Sequence, residues 1–163
     1  MIMRATRAIF YKIHKGNATA IDYLEWAYRM IEEDQESNSL YMLASMEETE
    51  NIFKYQDYFN RSLGELEITI PDFEDCAREI IRELCLKIVN KTRDPFEVTR
   101  DIFKVTFEID YPADLSVWVN LDDGIDRIIY DDEYYKPDEK EFKEQIELEA
   151  KNYLAAQDVE NIR

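Results

Sequence analysis

The chain has 163 residues, of which 45% are apolar and only 3 are glycine and 4 are proline. This composition excludes a disordered chain, and the scarcity of Gly and Pro argues against a fold of many strands and turns. The net charge of −17 disfavours direct binding to nucleic acid or to an anionic membrane surface, and it favours a basic protein partner. We therefore predict an all-α protein, a single compact helical domain of about seven to eight helices over residues 1–163.

Periodicity and capping residues predict four helical segments in the first part of the chain. The first covers residues 3–14. The second begins after Asn17 or Thr19, and its spacing predicts a buried face of Ile21, Leu24, Tyr28 and Ile31. A short third segment, SLYMLASM, precedes a fourth helix over residues 50–66. The alternating sequence EITIP, residues 67–71, is expected to be a brief extended piece.

Four more helices are predicted in the second part of the chain. One begins near Asp72, and the next begins at the Asp-Pro pair 94–95, where Asp can cap the helix and Pro suits its first turn. That helix ends at the Tyr-Pro pair 111–112. The last helix covers residues 138–156. Between them, residues 114–129 form a helix whose predicted buried face is Leu115, Trp118, Leu121, Ile125 and Ile128.

Shifting the chain on itself by 75 residues reveals a weak internal repeat. Residues 11–48 align with residues 86–123 without a gap, and the alignment pairs Leu40 with Leu115, Leu43 with Trp118 and Met46 with Leu121. A chance alignment of two amphipathic patterns is the alternative. A true repeat predicts two similar four-helix halves, residues 1–70 and 71–163.

The two cysteines indicate a reducing compartment. Cys76 and Cys85 fall in one predicted helix, roughly 13 Å apart along its axis, which is too far for a disulfide. We expect both to be free and buried. No apolar run approaches the roughly 20 residues that a membrane-spanning helix needs, and the first residues lack a signal-peptide cleavage site. We therefore expect a cytoplasmic protein.

Acidic residues are concentrated in residues 110–149, which hold 14 acids and four basic residues, a net charge of −10. Within them the stretch LSVWVNLDDGIDRIIYDDEYY interleaves carboxylates with tyrosines. Tyrosine supplies rigid contact area at interfaces, and its polar tip tolerates exposure when no partner is bound. We predict a surface that binds a basic protein partner, made of Asp122, Asp123, Asp126, Tyr130, Asp131, Asp132, Glu133, Tyr134 and Tyr135.

The same carboxylates are candidates for a metal site. Asp122 and Asp126 are four residues apart on a helix and could share a cation. An EF-hand loop with Gly124 as its glycine would place apolar residues at ligand positions, so that pattern fails. We expect no metal and no cofactor here, and a solvated acidic face in which Asp123 pairs with Arg127.

No set of residues predicts catalysis. His14 is the only histidine, and no Ser or Cys near it has a recognisable nucleophile motif. A di-iron bundle would need Glu-x-x-His pairs, and three glycines supply no phosphate-binding loop. We expect His14 to be a surface residue near the end of a helix, and the protein to be non-catalytic.

In composition the chain resembles the bacterial nuclease-immunity proteins, through its charge, its helical class and the Tyr134-Tyr135 pair in an acidic setting. This resemblance implies an acidic, tyrosine-containing surface that blocks a basic toxin. The preferred hypothesis is therefore a protein that binds a basic partner, with an inhibitor or immunity-type factor as its sharpest form. The alternatives are a helical-repeat scaffold, a nucleic-acid mimic and a carboxylate-metal enzyme. The oligomeric state stays open.

Overall fold

The computed structural model describes residues 2–160, and every regular element in that range is a helix. The all-α prediction is confirmed. Residues 67–71, expected to be extended, connect two helices without forming a strand. The elements are α1 Ile2–His14, α2 Ala20–Glu32, α3 Asn38–Ala44, α4 Ile52–Glu65, α5 Phe73–Val89, α6 Pro95–Glu108, a 3-10 helix Ala113–Leu115, α7 Ser116–Tyr130 and α8 Glu139–Glu160.

Side-chain caps explain where several helices begin. Before α2, the Thr19 backbone N–H donates to the Asp22 carboxylate at 2.8 Å, which closes a capping box. The Ser37 hydroxyl accepts from the Leu40 N–H at 3.0 Å ahead of α3. The Asp94 carboxylate accepts from two N–H groups of the first turn of α6, each at 3.1 Å. Each cap satisfies backbone donors that the helix itself leaves free.

The chain divides into two compact units, one ending at Cys76 and one beginning at Ala77. In the first unit, the Trp26 and Phe59 rings pack edge to face with centroids 4.7 Å apart. The Trp26 indole N–H donates to the Thr6 hydroxyl at 3.1 Å, so the polar edge of this buried ring is satisfied. Met30 and Tyr55 are fully buried beside them in the same apolar cluster.

The predicted buried face of α2 is partly wrong. Ile21 and Tyr28 are each 49% exposed, and the buried residues of α2 are Tyr23, Leu24, Trp26, Ala27 and Met30. Apolar residues occur around most of this helix, so their spacing alone did not fix the inward face. The observed face buries Trp26 against Phe59 and therefore removes more apolar area from water.

In the second unit, the predicted inward face of α7 is confirmed, because Leu115, Trp118, Leu121, Ile125 and Ile128 are all buried. Gly124 lets α8 approach α7 closely: a Cβ at this position would lie 2.3 Å from the Phe142 ring. That ring also packs edge to face on Phe96 of α6, with centroids 6.1 Å apart.

The 75-residue offset matches several structural boundaries. Shifted by 75, α2 would cover 95–107, and α6 begins at residue 95 and ends at 108. Gly16 and Lys91 both have left-handed backbone angles, φ 71° and 55°, two residues after helices that end at the matching residues 14 and 89. The agreement stops later, because α3 ends at Ala44 whereas α7 continues to Tyr130. The two similar halves, residues 1–70 and 71–163, stay a prediction.

The cysteines and the histidine lie where the sequence predicted them. Cys76 and Cys85 are free and buried. Burial raises the pKa of Cys76 to about 11 and that of Cys85 to about 12, so both thiols stay protonated at neutral pH. His14 is exposed in the last turn of α1, with its ring edge against Phe73. Within residues 2–160, no helix combines the length and the apolar character that crossing a membrane requires.

Candidate binding surface at the end of α7

The predicted surface begins on the outer side of α7. Asp123, Asp126 and Tyr130 lie outside the buried face of this helix and are exposed. Asp123 and Asp126 therefore present carboxylates to water, as the sequence predicted.

Asp122 differs from the prediction because it is buried rather than on the surface. Its side chain is 10% exposed, and its carboxylate accepts from the Arg100 guanidinium at 2.9 Å. The same guanidinium donates to Asp126 at 2.5 Å. The hydrogen bond that Arg100 donates to Asp126 raises the pKa of Arg100 above its ordinary value, so the guanidinium stays charged. The two aspartates do share a cation, and that cation is Arg100.

This arrangement has a physical reason. One turn of helix separates Asp122 from Asp126, so both carboxylates can reach a single planar guanidinium on the neighbouring helix α6. A carboxylate as buried as Asp122 requires such a partner, because burying an unpaired charge is costly. We therefore leave Asp122 out of the contact surface and regard it as part of the support beneath it.

The last residue of α7 and the turn after it form a segment that we call the tyrosine segment, residues 130–135, with the sequence YDDEYY. The N–H of Tyr135 donates to the carbonyl of Asp132 at 2.9 Å. Arg127 holds the segment from α7: its guanidinium donates to the Asp131 carboxylate at 3.4 Å and to the Tyr135 carbonyl at 3.3 Å. The expected partner of Arg127, Asp123, is replaced by Asp131.

The tyrosines of this segment are strongly exposed. Tyr130 is 78%, Tyr134 87% and Tyr135 67% exposed, and the preceding Ile129 is 55% exposed. The rings of Tyr134 and Tyr135 pack edge to face with centroids 4.9 Å apart, so each contacts the other and leaves its remaining faces in water. Asp131, Asp132 and Glu133 are exposed between the rings.

The structure therefore brings eight of the nine predicted residues to one exposed region, at the end of α7 and in the turn after it. Two arginines organise this region: the sequence analysis assigned Arg127 the wrong partner and did not indicate Arg100. Arg127 carried a local signal, since it precedes Asp131 by four residues in a helical context. Arg100 carried none, because its partners are 22 and 26 residues away.

The described residues hold no group of three or more His, Cys, Asp or Glu side chains placed to bind a metal ion. The polar groups of this region are exposed carboxylates and phenols, which suit contact with another macromolecule better than proton transfer in a dry site.

Comparisons of this chain with models of protein families, with curated proteins and with solved structures found no match.

Proposed function

We propose that this protein is non-catalytic and binds a basic protein partner through the tyrosine segment and the exposed carboxylates of α7. The observation that carries the proposal is the exposure of Tyr130, Tyr134 and Tyr135, between 67% and 87%, among three exposed acids. When a partner covers exposed aromatic rings, the burial of their apolar area stabilises the complex by about 25 cal/mol per Å².

Charge favours a basic partner. Two arginines beside this surface already have carboxylate partners: Arg100 bonds to Asp122 and Asp126, and Arg127 bonds to Asp131. Asp132 and Glu133 are exposed in a region whose net charge is −10 over residues 110–149. A field of this sign attracts cationic surfaces and repels acidic ones, so it speeds the encounter and selects the partner.

The two kinds of side chain have separate roles in this proposal. The carboxylates steer the approach and pair with Arg or Lys at the rim of the interface, where each pair contributes little to the affinity. The tyrosines supply the central contacts that slow dissociation, since aromatic residues dominate the binding energy at interfaces. The sharpest form of the proposal is an inhibitor or immunity-type factor. The free, buried cysteines support a cytoplasmic location.

The test is a quantitative comparison of immobilised wild-type protein and variants in an extract of the native cells. We expect the wild type to retain one or a few basic proteins at about 0.1 M salt and to lose them at about 1 M, where the Debye length falls from about 10 Å to about 3 Å. The double variant Tyr134→Ala, Tyr135→Ala is expected to bind the purified partner about tenfold or more weakly, through faster dissociation.

Matched variants in the first unit control for general effects. Tyr28 and Tyr41 are 49% and 46% exposed, so the variant Tyr28→Ala, Tyr41→Ala removes two exposed rings elsewhere and is expected to bind normally. For the charges, Asp132→Asn with Glu133→Gln is expected to slow association, whereas Glu47→Gln with Glu48→Gln is not. If a variant of the tyrosine segment and its matched variant in the first unit weaken partner binding equally, the tyrosine segment is not the contact surface.

A further inference from the structure

A cleft of about 450 Å³ lies between the end of α7 and the first turn of α8, beside the tyrosine segment. Its lining residues are Ile128, Glu133, Lys136, Pro137, Asp138 and Glu139. Glu133 belongs to the tyrosine segment, so the cleft is continuous with the surface that we propose for partner binding. The volume is near the lower end of the range of ligand sites, about 300–1,000 Å³, which suits one long side chain.

The charge of the lining favours a cation. Glu133, Asp138 and Glu139 contribute three negative charges and Lys136 one positive charge, so the lining has a net charge of −2. All four residues are exposed, so an incoming group reaches them without a change in the fold. A cleft with one dominant sign of charge concentrates ligands of the opposite sign and repels those of its own.

The three carboxylates keep oxygen atoms for a ligand. Across residues 2–160, Glu133 forms no ion pair. One Asp138 oxygen caps α8 by accepting from the Glu141 N–H at 2.9 Å, which offsets the partial positive charge of this helix end. One Glu139 oxygen bonds to Lys143 at 3.1 Å. Since a carboxylate has two oxygens and about four lone pairs, Asp138 and Glu139 can accept further hydrogen bonds.

Apolar contact in the cleft is limited. Pro137 is half-buried and Ile128 is 8% exposed, so they can cover a short aliphatic stem but not a large apolar body. An arginine side chain has this form, because it joins such a stem to a planar cation with five N–H donors. The protein already uses this chemistry internally, where the Arg100 guanidinium bonds to Asp122 and Asp126 together.

We propose that this cleft binds an arginine side chain of the basic partner, an inference that rests on the function proposed above. The stem would lie on Pro137, and the guanidinium would bond to oxygens of Glu133 and of Asp138 or Glu139. Such charge-assisted bonds from a planar guanidinium fix the orientation of the side chain as well as its position. An arginine held here would bring the surface beside it against the tyrosine segment.

The probe for this site is N-acetylarginine amide, which carries the side chain without the rest of a partner. At constant ionic strength we expect saturable changes in the amide NMR signals of Glu133, Lys136 and Glu139, with a dissociation constant on the order of millimolar. N-acetylcitrulline amide has a similar shape without the charge and is expected not to saturate. N-acetyllysine amide is expected to bind about two- to fivefold more weakly than the arginine probe, because its ammonium lacks the planar fork of donors.

The cleft variant is Asp138→Asn, Glu139→Gln, which removes two lining charges and keeps a side chain that can cap α8. We expect it to bind the arginine probe about fivefold or more weakly. The matched control is Asp72→Asn, Glu74→Gln at the start of α5, where Asp72 likewise accepts from the Asp75 N–H at 2.9 Å. This control is expected to bind the probe within about twofold of the wild type.

A third variant changes the affinity in the opposite direction. Lys136→Gln removes the lining cation and is expected to bind the arginine probe about twofold more tightly. With the purified partner, the cleft variant is expected to dissociate about fivefold faster than the wild type.

Equal weakening in the cleft variant and its matched control would reduce the effect to net charge and overturn the proposal. So would signal changes away from the cleft, the absence of saturable binding, equal or tighter binding of the lysine or citrulline probe, or a partner that dissociates from the cleft variant at the wild-type rate. Each of these results can occur while Tyr134→Ala, Tyr135→Ala weakens partner binding, so they are distinct from a failure of the proposed function.

Discussion

The two units place aromatic residues that are 75 positions apart in opposite environments. In the first unit Tyr55 and Phe59 are buried, and the Tyr55 hydroxyl donates to the Glu47 carbonyl. In the second unit Tyr130 and Tyr134 are 78% and 87% exposed. The matching positions carry similar aromatic residues, and these residues differ in whether they are buried or exposed.

Helix length explains the contrast. In the first unit α3 stops at Ala44, a non-helical connection follows, and Asn51 caps α4, so the chain turns and α4 brings Tyr55 to the core. In the second unit α7 continues without this break to Tyr130, and the next helix begins only at Glu139. Tyr130 is therefore the last residue of a helix and Tyr134 lies in the turn after it, both beyond the apolar core. Side chains that the core does not need are available for a partner.

The largest expected effect tests whether these two environments differ in energy. Phe59→Ala is expected to lower the free energy of unfolding by about 3–5 kcal/mol, because it removes a ring that contacts Trp26, Tyr23 and Phe10. Tyr134→Ala is expected to change it by less than about 0.5 kcal/mol. Urea denaturation followed by circular dichroism measures both. A large loss for Tyr134→Ala would mean that the tyrosine segment serves stability.

The next-largest expected effect concerns Arg100 of the second unit, whose guanidinium bonds to Asp122 and Asp126. Arg100→Met is expected to cost about 1–3 kcal/mol, because the 10% exposed Asp122 carboxylate loses its donor. Adding Asp122→Leu is expected to restore part of the loss, since no buried charge then remains. Glu25, which is 75 residues before Arg100, is exposed, and Glu25→Met is the matched control with no expected loss. If the double variant is no more stable than Arg100→Met, the charge of Asp122 is not the cause.

Two glycines sharpen the comparison further. Gly124→Ala would place a Cβ 2.3 Å from Phe142, whereas the same change at Gly64 of α4 meets no atom within 4 Å. Both changes gain up to about 1 kcal/mol of helix propensity. Overpacking costs about 1–3 kcal/mol at Gly124 alone. We expect Gly64→Ala to raise the melting temperature and Gly124→Ala to lower it.

The Phe142 ring supplies the control for this pair. Its end is the part that a new Cβ would meet, so Phe142→Leu in the Gly124→Ala background is expected to recover part of the lost stability. A Gly124→Ala protein that melts at or above the wild-type temperature would show that the Phe142 ring moves aside without cost.

The sequence was sufficient for those features that depend on neighbours along the chain. The inward face of α7 followed from apolar spacing, and the start of α6 followed from the Asp-Pro pair at 94–95. The exposure of Tyr134 followed from its position in a polar run between two helices. These features were predictable because helix periodicity and capping are local properties.

Features that depend on contacts between helices were not predictable in the same way. Asp122 could be placed on α7, but its burial depends on Arg100 of α6. The inward face of α2 depended on the ring of Phe59 in α4, because α2 is apolar on more than one side.

The smallest expected effect compares how each unit holds a residue at the 75-residue offset, Ser39 in the first and Asp114 in the second. Hydrogen bonds from Arg78, at 2.7 and 3.1 Å, lower the pKa of Asp114 below its ordinary 3.8. The ionised carboxylate therefore adds stability above that pH, by less than about 1 kcal/mol because Asp114 is largely exposed. This contribution is lost as the pH falls through the lowered pKa. Unfolding measurements from about pH 7 to about pH 2.5 are expected to show wild type and Asp114→Asn converging at low pH. High salt is expected to shrink the difference in unfolding free energy between wild type and Asp114→Asn at pH 7.

Hydrogen bonds from Ser39 likewise lower the pKa of Glu65, but these donors are neutral. The difference between wild type and Glu65→Gln is therefore expected to persist in high salt. Equal salt sensitivity at both places would mean that the Arg78 charge contributes nothing beyond its hydrogen bonds.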